Sequence, residues 1–430
     1  MRRGPTDVRR AVLATVLLFV TNGAVFGAVV PRLPELKDAL GLDAAAFGVA
    51  MACYPAGALV GGLASPLLFR RASDGSVAVA TMIGASLAGG IVAFAPTVVV
   101  FGAVLVAFGV CDAITDVAMN AHGIRAQVRA GRSLINRFHA MWSFGAVAGA
   151  LVGSAAAGLG ATVTGQMLAV GLVCAALSLL AYPLRLPGGP RAAREAAGPG
   201  VEPAPAAPRT PLRSVPPRVW LSIVGLGLLA CCAELVEDFA QTWSALYLRD
   251  VVGVGAGLAG AGFVAVQGMQ LLGRLTGDRL TEALGTVRVG WTGGICVTLG
   301  TGATLLASAT LHGTPLLVVA LLGLGLAGWG IATVIPGAMV ACDAAPGLSA
   351  GVGLGVLNWV MRLGLLLSPP AVGFLAQHAG LRWTVAPMVV GGVLVVVLSV
   401  ALLGLAEQRH APRPVTGPDT APDPSPGVAP

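Results

Sequence analysis

The sequence predicts an all-α polytopic membrane protein, with twelve transmembrane helices in two pseudo-symmetric six-helix bundles. Three observations lead there. Of 430 residues, 56% are hydrophobic and only 10% are charged, where soluble domains average about 25% charged. Apolar runs of about 20 residues, each long enough to cross a ~30 Å hydrocarbon core as a helix, recur twelve times. A polar, proline-rich stretch in the middle divides these runs six and six.

In chain order, the runs fall near 11–30, 44–67, 76–95, 97–120, 134–158 and 162–183, then near 219–247, 256–275, 287–308, 315–340, 348–376 and 382–405. The first has a basic preface (Arg2, Arg3, Arg9, Arg10), as a signal peptide would. It is too long for one and continues into PRLPELKDALG, so it reads as a retained helix. The dividing stretch, 187–218, is rich in Pro, Ala and Arg with little to bury, and is expected to be a disordered linker. It separates a first bundle over 1–186 from a second over 219–406, and the tail at 407–430 has the same proline-rich character.

Twenty of the 26 basic residues fall in segments on the linker's side of the membrane, and four (Arg32, Lys37, Arg249, Arg382) on the other. The positive-inside rule then places both termini and the linker in the cytoplasm, with the chain multi-pass in a bacterial cytoplasmic membrane. The net charge of +7 is scattered between apolar runs rather than gathered into a patch, which argues against nucleic acid. The bilayer is the expected partner, and a monomer the expected state. No P-loop lysine motif or metal-ligand spacing occurs, so no cofactor or metal is expected, and neither ATP-driven transport nor an enzyme. The seven cysteines lie in or beside apolar runs and read as small packing residues.

The halves look related. GALVGGLASPLL (57–68) parallels GMQLLGRLTGDRL (268–280), and HAMWSFGAVAG (139–149) parallels NWVMRLGLLLS (358–368). Duplicated bundles around a midplane site are the usual plan of secondary transporters.

Charged residues inside such runs cost free energy and therefore face a cavity or a partner. In CDAITDVAMNAHG (111–123), Asp112, Asp116 and Asn120 recur every four residues and stack on one helical face. The fifth run answers with Asn136, His139 and Ser143 on one face. The seventh carries Glu234, Glu237, Asp238, Gln241 and Trp243, and the eleventh Asn358 and Arg362. Asp116, Glu237, Asp112, Glu234 and Asp238 are the candidate proton carriers. Asn120, His139, Arg362, Asn358, Gln241, Trp243 and Asn22 are the candidates for binding solute or gating. The bland reading is a structural hydrogen-bond network locking helices together. Arg362, deep in its run, is expected to pair with an acid of the seventh span, as a gate or as a fixed brace. Gly145, Gly149 and Gly153, spaced by four, read as a close-packing stripe. Trp142, Trp243 and Tyr54 read as core or interface aromatics, or as surfaces on which a sugar ring could stack.

These motifs resemble the major facilitator superfamily. GRLTGDRLTEALG (273–285) is similar to its cytoplasmic Gly-x-x-x-Asp-Arg loop signature, with the Asp displaced by one; Gly273, Arg274, Asp278 and Arg279 carry the match. GLASPLLFRR (62–71) keeps only Gly62 and the arginine pair. Within the superfamily, the chain resembles the fucose-permease-like branch, rhizopine-transport-type proteins included. DVAMN (116–120) is similar to its Glu-Thr-Ala-Ala-Asn, FHAMWSFG (138–145) to its fifth-helix motif, and EDFAQTWSALYLRD (237–250) to its seventh.

The resemblance implies the major facilitator fold and proton-coupled symport of a small sugar- or polyol-like solute. There are departures. Asp238 stands where the branch has Gly and Thr242 where it has Asp, and the first span offers Thr21 and Asn22 instead of a carboxylate. A fucose-type two-acid mechanism therefore does not carry over whole. The rivals are a proton-antiport exporter of a hydrophobic or cationic metabolite or drug, which the missing Gly-Pro at Gly149-Ala150 argues against, and a non-transporting membrane sensor or scaffold.

Overall fold

A computed structural model describes residues 5–188, 215–343, 345, 348 and 352–403. Most of the expected linker (189–214) and the tail from 404 onward lie outside the described residues, as does the side chain of Asp278.

Twelve spans follow one another. The first six are α1 (Asp7–Ala39), α2 (Ala44–Phe69), α3 (Asp74–Phe94), α4 (Val98–Ala130), α5 (Ile135–Gly158) and α6 (Val163–Leu184). The second six are α7 (Pro217–Val252), α8 (Ala256–Gly277), α9 (Thr286–Ala307), α10 (Gly313–Asp343), α11 (Val352–Ala379) and α12 (Leu381–Leu403). In hydrocarbon every backbone polar group must be satisfied within the segment, and helices achieve this. Large apolar side chains such as Val99, Leu151, Leu306 and Leu322 point outward and are more than half exposed. Twelve such helices make this a multi-pass membrane protein.

Polar residues at the turns set where several spans begin. The side chains of Asp43, Ser73, Thr97 and Thr162 each accept a hydrogen bond from a backbone N–H three residues on. Several spans outrun their apolar runs. α4 continues ten residues past the expected end at 120, to Ala130. Its extra turns are held by polar contacts that hydropathy does not register. The Arg125 guanidinium donates to the fully buried Asp74 carboxylate of α3, with Nε 2.7 Å from Oδ2. His122, also fully buried, sits 2.9 Å from the Thr15 hydroxyl and accepts from the Leu186 N–H at 3.0 Å.

The ends of the bundle differ. Ala11, Ala126 and Leu186 cluster at the end where the linker leaves, called here the linker end. At the opposite, far end the halves meet. Gly48 of α2 packs so tightly on α11 that a Cβ there would lie 2.3 Å from the Pro369 carbonyl oxygen. Arg249 of α7 pairs with Asp38 of α1 at 2.6 Å, and the Ala44 N–H donates to Gln377 at 3.1 Å. Phe47 stands edge-on to Trp243 with centroids 5.6 Å apart. Nearer the middle, Arg274 of α8 reaches Ser143 of α5 (3.4 Å), and Arg362 of α11 reaches the Ala58 carbonyl of α2 (3.3 Å). Asp116, near the middle of α4, and His139, one turn into α5 from the linker end, are exposed. The space between the halves is therefore closed at the far end and open at the linker end.

Within the first half, α1 and α5 touch backbone to backbone. The Gly145, Gly149 and Gly153 stripe lies against Val20, Ala24 and Ala28 of α1; a Cβ on Gly149 would come 2.2 Å from the Ala24 carbonyl oxygen. Gly302 of α9, by contrast, has open space around it. Gly149→Ala should therefore destabilise the detergent-solubilised protein by the ~1–3 kcal/mol typical of overpacking, seen as a lower melting temperature. Gly302→Ala should leave it unchanged or raise it slightly. Equal melting temperatures for the two variants would show that the α1–α5 contact is looser than described.

Candidate functional site

The polar side chains of the sequence converge on the space between the halves, but they do not form one cluster. The first group centres on Asn22 and Asp112. Asn22 donates from Nδ2 to Asp112 Oδ1 at 2.6 Å, and the Tyr54 hydroxyl donates to Oδ2 at 2.7 Å. The Trp142 indole N–H, which can only donate, reaches Asn22 Oδ1 at 2.7 Å. The carboxylate on one side and the indole on the other therefore fix which way the Asn22 amide points. Four helices (α1, α2, α4, α5) are tied together here, and Asn22 is buried. Its polar atoms are engaged by protein, which leaves a solute little to bind.

One turn along α4 the surroundings change. Asp116 is exposed, and its partner is Asn120, which donates from Nδ2 to both the carboxylate and the backbone carbonyl of Asp116 at 2.9 Å. Arg362 of the other half lies within electrostatic reach of Asp116. His139 of α5 is exposed as well. Its ring stands edge-on to Phe19 at 5.3 Å, and it faces Arg274 across the space.

The second half divides its acids similarly. Glu237 turns toward α8, where the Gln270 amide donates to it and Arg274 Nη2 lies 3.4 Å away. Asp238, 4% exposed, turns toward α11. It accepts from the Ser368 hydroxyl at 2.7 Å and the Thr242 hydroxyl at 3.4 Å. Glu234 is half-buried, within electrostatic reach of Glu237, Asp238 and Arg274. Directly after these acids α7 widens into a π-helical turn, Phe239–Trp243, a distortion often found at functional sites.

A partly enclosed cavity lies between the halves toward the far end, with about 40 Å3 open to the centre of a water molecule. Its first-half wall is apolar and aromatic, with Phe26, Tyr54 and Phe108; Asp238, Gln241 and Thr242 supply the polar groups of its second-half wall.

Two expectations need correction, the partner of Arg362 and the loop motif, and two candidates, Trp243 and Asn358, lie apart from the cavity. Arg362 does not pair with an α7 acid: its guanidinium rests against Gly62 and donates to the Ala58 carbonyl. Ser368, six residues on, is the α11 side chain that meets Asp238. Six residues turn an α-helix by about 240°, so one helix cannot offer both to the same partner. The arginine that does pair with α7 is Arg274, read from the sequence as part of a loop motif. Gly273 and Arg274 lie inside the α8 span, and the motif continues as helix through Arg279. Trp243 is fully buried in the far-end seam, off the cavity wall. Asn358 lines a separate groove between α10 and α11, with Met339 and Asp343.

Gln270, Tyr54 and Ser368 were not singled out as partners of the acids. The signal for the first was present: Gln267, Gln270 and Arg274 recur at helical spacing along one face of an otherwise apolar run.

Comparison with known proteins places this geometry in a wider set. The family model for the Major Facilitator Superfamily matches residues 12–362. An uncharacterised MFS-type transporter of Yersinia pestis is 27% identical over 400 residues, covering 92% of this chain and 96% of that one. An uncharacterised transporter of Sinorhizobium fredii is 31% identical over 371 residues, covering 85% and 90%. Membrane protein MosC of Rhizobium meliloti is 25% identical over 403 residues, covering 90% and 89%. Among solved structures, the nucleoside transporter NupG overlays with a TM-score of 0.68 at 16% identity, covering 92% of this chain and 98% of that one. A D-xylose–proton symporter does so with a TM-score of 0.68 at 14% identity, covering 92% and 96%. An inward-facing, occupied bacterial homologue of human Spinster gives 0.70 at 16%, covering 94% and 98%.

The two α4 acids should separate experimentally. Asn22→Leu strips Asp112 of one donor and leaves the Trp142 N–H without an acceptor, at about 1–3 kcal/mol per orphaned group. It should lower the melting temperature in detergent clearly, whereas Asp116→Asn, at a carboxylate open to water, should leave it in place. Equal losses in both variants would contradict the division described.

Proposed function

The chain belongs to the Major Facilitator Superfamily, and on that footing we propose that it is a proton-coupled secondary transporter of a small polar solute, working by alternating access. The observation that carries this reading is the charge balance between the halves. Five carboxylates on α4 and α7 (Asp112, Asp116, Glu234, Glu237, Asp238) share the space with two arginines, Arg274 and Arg362. Carboxylates in excess of their counter-cations at membrane depth are stable only if hydrated or protonated. A site that opens to one side of the membrane and then the other changes that hydration, and so takes up and releases protons.

In this reading Asp116 and Glu237 carry the protons. Asp112, engaged by Asn22 and Tyr54, positions the first bundle instead. Each arginine is shared between an acid and a seam: Arg274 between Glu237 and Ser143, Arg362 between the field of Asp116 and the Ala58 carbonyl. Protonating either acid weakens the hold on its arginine and with it the contact across the seam. Charge is thereby coupled to the rocking of one half on the other. His139, exposed, and Asn120, half-buried beside Asp116, meet the solute on its way. The basic residues of the linker end favour a cytoplasmic position for that end; in this reading the arrangement is inward-open in a bacterial cytoplasmic membrane, with both termini inside and the monomer as working unit.

A sugar- or polyol-like solute is favoured by the branch resemblance, and the shared fold of a D-xylose–proton symporter is compatible with it. The second reading, proton-antiport export of a hydrophobic or cationic metabolite or drug, is favoured by the aromatic wall of the cavity.

In proteoliposomes, an imposed pH gradient should drive solute accumulation by the wild type. Asp116→Asn and Glu237→Gln should each abolish it, while exchange of solute down its own gradient survives. Gradient-driven accumulation at wild-type rates in both variants would reject the assignment.

A further inference from the structure

From the geometry of the enclosed cavity we propose that the solute carries a protonated amine, which docks on Asp238 with the adjoining carbon skeleton against Phe26, Tyr54 and Phe108. This rests on the transport reading above and adds the chemical class of the solute. Asp238 is the acid that reaches the cavity wall. It is nearly sealed from solvent, and among the described residues no arginine, lysine or histidine nitrogen comes within 4 Å of its carboxylate. Glu237, one residue earlier, has Arg274; Asp238 has only two hydroxyls. Those hydroxyls occupy one lone-pair site on each oxygen and hold the carboxylate in place, leaving acceptor capacity free for a further donor.

The opposite wall fits the same ligand. Tyr54 packs against Phe26 at 5.6 Å and against Phe108 at 5.3 Å, so three rings from α1, α2 and α4 form one aromatic surface. Aromatic faces attract cations, more strongly where water is excluded. A neutral sugar hydroxyl would gain little from either wall, since it could neither neutralise Asp238 nor use the ring quadrupoles. Gln241 and Thr242, on the same wall as Asp238, offer hydrogen bonds to a neighbouring hydroxyl of the solute.

The test compares matched pairs differing only in amine against hydroxyl: glucosamine with glucose, and tyramine with tyrosol. Binding to the purified full-length protein in detergent is read by thermal shift and by tryptophan fluorescence. At least one amine should bind about tenfold or more tighter than its hydroxyl twin. Asp238→Asn, whose amide oxygen accepts from one of the two hydroxyls while its NH2 donates to the other, should bring the ratio within about twofold. Phe26→Leu should weaken amine binding several-fold while leaving Asp238 intact, and so keeps the proposal testable should the first variant fold poorly. Equal binding of the twins to the wild type, no binding of either amine at millimolar concentration, or a ratio unchanged in Asp238→Asn would each overturn the inference. Proton-driven uptake of a neutral sugar without amine preference would sink it and spare the transport reading. Amine preference with flux indifferent to a pH gradient would do the reverse.

Discussion

Carboxylates in a low-dielectric slab are the constraint around which this molecule is arranged. Each costs about 2.5–3.5 kcal/mol at the bilayer centre on insertion scales, and the chain places five of them on two helices. The structure meets that cost by several means. Asp112 is given two strong donors, Glu237 an amide and a guanidinium, Asp238 two hydroxyls, and Asp116 the Asn120 amide at an exposed position. A single solution repeated five times would give a rigid polar core. Different solutions leave some acids fixed and others responsive to what enters the cleft. The open space between the halves follows from this, because no apolar packing could occupy the same volume without stranding a charge.

Rigid halves are the complement of a responsive centre. The α1–α5 contact is so close that backbone meets backbone, and the Asn22–Asp112–Tyr54–Trp142 network pins the same helices by directed hydrogen bonds. The seams between halves are different in kind. At the far end they combine small-residue packing, one exposed ion pair and one edge-on aromatic contact; at mid-depth they rest on arginines whose hydrogen bonds are long, 3.3 to 3.4 Å. Dense packing within each half, with close packing between halves confined to the far end and sparse polar contacts at mid-depth, lets two bodies move without deforming.

Much of the fold is legible in the sequence because hydrocarbon imposes a simple rule, and twelve apolar runs give twelve spans. The ends of spans are less legible. Hydropathy stops counting at the first charged turn, whereas α4 carries Arg125 onward by pairing it with a buried aspartate 51 residues away in sequence. The site shows the same limit more sharply. Periodicity puts Asp112 and Asp116 on one face, yet it says nothing of what faces them. The donors around Asp112 come from α1 and α2, and Asp116 looks into the cleft. Arg274 was hidden by the very motif that identified it, since reading it as loop removed it from the inventory of buried charges. Arg362 was misassigned because helix spacing fixes where a side chain points along its own helix and leaves its partner to the fold.

The wide turn of α7 has a further mechanical meaning. A π-helical turn accommodates one residue more than an α-helix would, so everything beyond Trp243 is rotated by about 100° relative to an uninterrupted helix. That offset aims Tyr247 into the second half's core, and together with a second π-helical turn at Leu248–Val252 it lets Arg249 face Asp38 on α1. The alignment of the far-end latch is thus recorded in the residue count of a segment buried well below it. A shift of the bulge along α7 would act as a twist in a drive shaft, turning the latch away from its catch without altering either.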